Sequence, residues 1–173
     1  MNKAFIMVIM AFVSCNGTTG SKSVHYESAK TYRDFASDQY HLVYYDGLLK
    51  NVVYDSGTDS LKGYFYGSAV HKDTMKISVK DLDRIANNFY RYQIHHIRGV
   101  RYGGENASTH TAFNTVVIFK NHTRIAELNV WPDDEGPIKA FEDSISKILS
   151  EQPEYNFVRD TLFSLYSKKP MMF

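Results

Sequence analysis

Cysteine occurs once in the 173 residues, as Cys15, so neither an intramolecular disulfide nor a multi-cysteine zinc site can form. Proline occurs four times, always at or after Pro132, so no proline-rich linker divides the chain before that point. Neither sign of charge dominates: Lys+Arg number 20 and Asp+Glu 19, a formal net charge of +1. That balance offers no electrostatic footprint for nucleic acid and no polybasic surface for lipid headgroups. The sequence holds no Gly-x-Ser-x-Gly elbow, no His-Glu-x-x-His, no Gly-x-Gly-x-x-Gly and no phosphate-binding Gly-x-x-x-x-Gly-Lys-Ser/Thr, so no motif points to hydrolase, zinc-protease or nucleotide chemistry. What remains is a globular composition, 43% hydrophobic and 23% charged, of a length that suits one domain. The expectation is a chain without cofactor or metal.

The most specific signal lies at the N-terminus. Met1-Asn2-Lys3 precedes an apolar run from Ala4 to Val13, then Ser14-Cys15-Asn16-Gly17. One positive charge followed by a short apolar stretch is the layout of an export signal. The run falls short of the roughly 20 residues of a spanning helix. Phe12-Val13-Ser14-Cys15 resembles the lipobox of bacterial lipoproteins, with Phe12 where Leu is commonest, a variant tolerated in Bacteroidota-like sequences. The resemblance implies that residues 1–14 are a signal peptide and that Cys15 is the lipidated first mature residue. Each methylene of an acyl chain buried in a bilayer contributes about 0.8 kcal/mol, so three chains would anchor the protein firmly. Asn16 is not an acidic retention signal, and no acidic cluster follows Cys15. The expected address is the periplasmic face of an outer membrane. A rival reading takes Asn16-Gly17-Thr18, Asn106-Ala107-Ser108 and Asn121-His122-Thr123 as glycosylation acceptors of a eukaryotic secreted protein.

Residues 15–24 read as a tether, and one α+β domain is expected over 25–173. Tyr40–Tyr45 and Asn51–Tyr54 have strand composition, separated by the turn residues Asp46-Gly47. Residues 55–60 read as a loop and Gly63–Val70 as one further strand, with Tyr64 and Tyr66 on the same face. Ser78 with Asp81 marks a helix start, and Leu82, Ile85, Ala86 and Phe89 follow at helical spacing. Gln93–Tyr102 returns to strand composition. Phe113–Lys120 and Arg124–Val130 flank an Asn121-His122 turn, with Ala126, Leu128 and Val130 on one face. Pro137 suits a first helical position, and Ile138, Phe141, Ile145, Ile148 and Leu149 form a stripe behind it. A last helix over about 154–167 carries Val158, Leu162, Leu165 and Tyr166. The order β-β-β-α-β-β-β-α-α predicts an antiparallel sheet of hairpins with helices packed on one face. Over residues 40–150 this outline (Gly-containing hairpin, helix, long hairpin, Pro-led helix) resembles emfourin-type inhibitor domains, and so implies a binding or inhibitor role.

Four sets of residues qualify as candidate sites. Arg98 and Arg101, with Tyr102, precede Gly103-Gly104, a stretch that reads as a long hairpin loop. Arginine and tyrosine are frequent interface anchors, and a Gly-rich loop exposes backbone N–H groups. Thirteen tyrosines crowd the chain, and an exposed Tyr64/Tyr66 face would suit protein or glycan contact. His95-His96, read on a strand, point to opposite faces and cannot share a metal; an enzyme would need His96 or His110 as general base beside Arg101. Asp133-Asp134-Glu135 read as acids at the positive end of a helix dipole. The leading expectation is a lipid-anchored binding or inhibitor module that touches the membrane through its anchor and takes a protein or glycan partner, and not nucleic acid. A structural envelope component comes second, a hydrolase-type enzyme third.

Overall fold

The computed structural model describes residues 29–47, 51–104 and 113–168, and they form an α+β fold: a seven-stranded sheet with four helices. Cys15, the sequence on either side of it up to residue 28, and His110 lie outside the described residues.

Thr31 opens α1 (Tyr32–Ser37), the Asp34 carboxylate accepting from both its N–H and its hydroxyl at 2.8 and 2.9 Å. The sequence reading missed this helix because six residues hold too few turns for a periodic signal. Four antiparallel strands follow: β1 (Tyr40–Asp46), β2 (Val52–Asp55), β3 (Ser60–Phe65) and β4 (Ser68–Thr74). The stretch expected as one strand over Gly63–Val70 is thus a hairpin. Tyr66 and Gly67 both take positive φ, 49° and 78°, which is the backbone of a tight two-residue turn.

Next comes α2 (Val79–Arg91), whose Ser78 hydroxyl accepts from the Asp81 N–H at 3.2 Å. It buries Ile85, Ala86 and Phe89 as the spacing requires. The strand expected over 93–102 begins late. Gln93 sits at φ 58°, Ile94–His96 form a 3-10 turn, and only Gly99–Tyr102 form a strand, β5. Ile94 is fully buried, and its anchoring keeps this stretch from extending. β6 (Asn114–Lys120) and β7 (Thr123–Val130) make the expected hairpin around Asn121-His122, both at positive φ. α3 (Pro137–Ser150) and α4 (Pro153–Lys168) complete the fold.

The strand order is β4-β3-β2-β1-β6-β7-β5. All pairings are antiparallel except β5 on β7, which is parallel. The segment 98–104 is therefore not half of a hairpin with β6: β5 crosses to the far side of β7. One hydrophobic cluster draws on all four helices and on alternate sheet residues such as Leu42, Tyr44, Tyr54, Leu61, Val116 and Leu128. Gly63 belongs to this parity, and its missing side chain lets α4 approach; a Cβ there would lie 2.8 Å from Val158 Cγ1. The helices thus cover one face of the sheet.

Candidate functional site

The other parity of sheet residues forms a second face, opposite the helices, and its centre is buried: Thr115 is 0%, Val117 5% and Asn129 5% exposed. Cross-strand register places Lys62, Val53, Tyr45, Thr115, Asn129 and Tyr102 in one row across six strands. A second row holds Ser60, Asp55, Val43, Val117, Glu127 and Val100. Between β1 and β4 this face forms a trough of about 420 Å³, walled by Tyr45 and Tyr64 with Asp55, Ser60 and Lys62 supplying polar groups. Burial pushes the Tyr45 hydroxyl above its ordinary pKa, so it stays a protonated donor.

Polar side chains are linked in sequence beyond the trough. Thr115 Oγ1 donates to Asn129 Oδ1 at 2.9 Å, and Asn129 Nδ2 to Glu127 Oε1 at 3.0 Å. Arg124 closes the series on Glu127. At one end of the face the His41 and Phe119 rings stack 4.7 Å apart, with His122 at 6.0 Å from His41. Burial lowers the His41 pKa and outweighs the Asp55 carboxylate, which raises it. At the other end Trp131 lies against Tyr102 and Phe113, with centroids 5.6 and 4.9 Å away. The face is therefore aromatic at both ends, with buried valines Val43 and Val117 and the Thr115–Asn129–Glu127 series between them.

The expected site residues do not all meet here. Tyr64 lines the trough, but Tyr66 does not share its face. It sits in the β3–β4 turn against Phe65 and Tyr166, at 4.6 and 5.8 Å. Tyr102 pairs with Asn129 and lies on the face opposite the helices, whereas Arg101 pairs with Leu128 and belongs to the helix face. Arg98 turns back on its own loop and donates to the His95 and Ile97 carbonyls at 2.8 and 2.7 Å. It does not join Arg101 in a clamp. Gly103 and Gly104 make room for Asp134, whose carboxylate would overlap a Cβ at either position. Asp134 also accepts from the Trp131 N–H at 2.8 Å. It is thus a buried tie between loops and not an acid facing the helix dipole. His95 and His96 lie in the 3-10 turn with ring centroids 3.9 Å apart, so the opposite-face argument, which assumed a strand, does not apply. Among the described residues no group of His, Cys, Asp and Glu is arranged to hold a metal ion.

A second concavity, about 330 Å³, opens where β1 and β7 end beside α3. Its floor is Glu142, only 2% exposed. Glu142 Oε1 accepts from the Tyr44 hydroxyl at 2.9 Å and from Asn114 Nδ2 at 2.7 Å. Burial raises the Glu142 pKa, and the Asn114 and Tyr44 hydrogen bonds and Lys139 pull against that rise. Burial by itself lowers the Lys139 pKa, but Asp143 and Glu142 outweigh it and hold the ammonium above its ordinary value. The sequence reading passed over Glu142, although a signal existed. It stands four residues after Ile138 and three before Ile145, a charge inside the apolar stripe of α3.

No protein-family model, no curated protein and no solved structure matches the chain.

Proposed function

We propose that the protein is a lipid-anchored envelope module that binds a protein or glycan partner at the trough on the sheet face opposite its helices. One observation carries this reading: helices pack on one face of the seven-stranded sheet, while the other opens a tyrosine-walled trough between β1 and β4. Binding sites of this kind combine concavity, aromatic walls and a few fixed polar groups. Tyrosine provides contact area at small entropic cost. Anchorage rests on the lipobox-like run ending at Cys15, and the periplasmic face of the outer membrane is the address it suggests.

Two experiments test the two halves. A photo-crosslinking residue replaces Lys62 in the trough or Lys147 on the helix side. Adducts from envelope material at position 62 and none at 147 support the reading; equal or absent adducts at both overturn it. Cys15→Ser should move the protein from the membrane to the soluble fraction, and an unchanged membrane fraction removes the anchor from the proposal.

A further inference from the structure

We propose that the trough takes an acidic saccharide, its anionic group on Lys62 and Lys72 and its sugar ring against Tyr45 and Tyr64. This rests on the trough being the binding site and narrows the class of ligand it takes.

The register of the β3–β4 ladder sets Lys62 directly opposite Lys72, and Ser60 directly opposite Thr74. Directly opposed residues of an antiparallel pair share a face. Lys62 and Ser60 line the trough, so Lys72 and Thr74 extend its polar wall to the sheet edge. Like charges placed opposite one another destabilise a ladder. Among the described residues neither ammonium forms an ion pair. Asp73, the acid next to Lys72, is opposite buried Leu61 and so lies on the helix side, 3.8 Å from His71. Asp55, the acid in the trough, accepts from the Gly57 N–H at 2.8 Å, at the β2–β3 turn. A lysine on an edge strand discourages pairing with other chains, which accounts for Lys72. It does not account for Lys62, on the interior strand β3. An anion between the two ammoniums would replace their repulsion with two charge-assisted contacts.

The rest of the lining favours a sugar as the carrier of that anion. Tyr45 and Tyr64 offer ring faces and hydroxyls. Ser60 and Asp55 supply a hydroxyl and a carboxylate to sugar hydroxyls. An acidic peptide would gain less here. β1, β2 and β3 are interior strands, so their main chains are spent on the ladder and present no edge for strand addition. The volume of about 420 Å³ suits about two sugar rings.

The probes are trigalacturonate, its methyl ester and a sulfated galactan oligosaccharide, titrated calorimetrically into the full-length protein at low salt. Saturable binding of trigalacturonate or of the sulfated sugar supports the proposal, and the tighter of the two names the anion. The methyl ester, which lacks the charge, should bind at least about tenfold more weakly than the better anion. Lys62→Gln should weaken that anion about tenfold, and Lys72→Gln, at the exposed edge, about threefold. Lys72→Glu turns the repulsive pair into an attractive one. It should raise the midpoint of thermal unfolding by about 1–4 °C while lowering affinity at least about tenfold, which separates loss of binding from loss of fold. Equal binding of the methyl ester, or unchanged affinity in Lys62→Gln, overturns the proposal. So does oligoglutamate binding as tightly as either acidic sugar with the same dependence on Lys62, which would make the partner an acidic protein segment. Where no probe binds, a cross-linking residue at Ser60, which keeps both lysines, separates the two readings. Adducts from envelope material then leave the trough as a binding site and overturn only its preference for acidic sugars; no adducts overturn both.

Discussion

At the scale of single residues, burial decides what Glu142 and Gly63 do. The Glu142 carboxyl titrates above its ordinary 4.5 in the folded protein because burial penalises the charge. The folded state therefore holds this proton more tightly than the unfolded chain. Stability from this group is full below the unfolded pKa and falls as pH rises through the folded one, by at most about 1.4 kcal/mol per pH unit. Lys139, Asp143 and Asp46 line the same cleft, and the Tyr44 hydroxyl donates to the carboxylate. Glu142→Gln removes the titrating group, so denaturant unfolding followed from pH 4 to 7 should show a flatter profile in the variant. Parallel profiles would mean that Glu142 does not titrate in this window. Gly63 is governed by space. An added methyl would press on the fully buried Val158. Overpacking of this kind costs about 1–3 kcal/mol, offset by about 0.4–1 kcal/mol from the stiffer unfolded chain. Gly63→Ala should lower the midpoint of thermal unfolding, and an unchanged midpoint would show that α4 can shift without cost.

At the scale of elements, α2 is tied to the core by its second half. Phe89 is fully buried against Phe35, Tyr40 and Phe141, with centroids at 5.0, 4.9 and 6.0 Å. Phe89→Ala should cost about 3–5 kcal/mol in equilibrium unfolding; a loss below about 1 kcal/mol would contradict this packing. Ser78→Ala, which removes only the cap, should cost about 1 kcal/mol. This element was legible in the sequence because its cap and its period agree. The β6–β7 hairpin and α3 were legible for the same reason. The β3–β4 hairpin was not, because its turn puts a tyrosine at positive φ, a conformation that local propensity assigns to Gly, Asn or Asp. Nor was the 3-10 turn, where the β-rich composition of Ile94–Ile97 is overridden by the burial of Ile94. The parallel β5 depends on a crossing to the far edge of the sheet, and nothing local in Gly99–Tyr102 specifies that partner.

At the scale of the whole molecule, the sheet divides the candidate partner-binding residues by parity. Sequence adjacency placed Arg101 and Tyr102 together, but strand alternation sends them to opposite faces, beside Leu128 and Asn129 respectively. Residue type was thus legible and its side of the sheet was not, because the side depends on β5 pairing with a strand more than twenty positions away. Separate substitutions follow from this division. Tyr102 is 54% exposed, with its ring 5.6 Å from Trp131. Losing that aromatic pair should cost about 0.5–1.5 kcal/mol in stability, too little to unfold a domain of ordinary stability. Tyr102→Ala should weaken capture of the ligand cross-linked at position 62, since both positions lie in one row of the face opposite the helices. Arg101→Ala should leave capture and stability nearly unchanged, within about 0.5 kcal/mol, because its side chain belongs to the other face and, among the described residues, its hydrogen bond runs to the adjacent Val100 carbonyl. The check is titration of each purified variant against the captured partner. If Arg101→Ala weakens binding as much as Tyr102→Ala, the partner wraps the β5 edge and the flat-face geometry is wrong. If neither matters, contact is confined to the trough between Tyr45 and Tyr64.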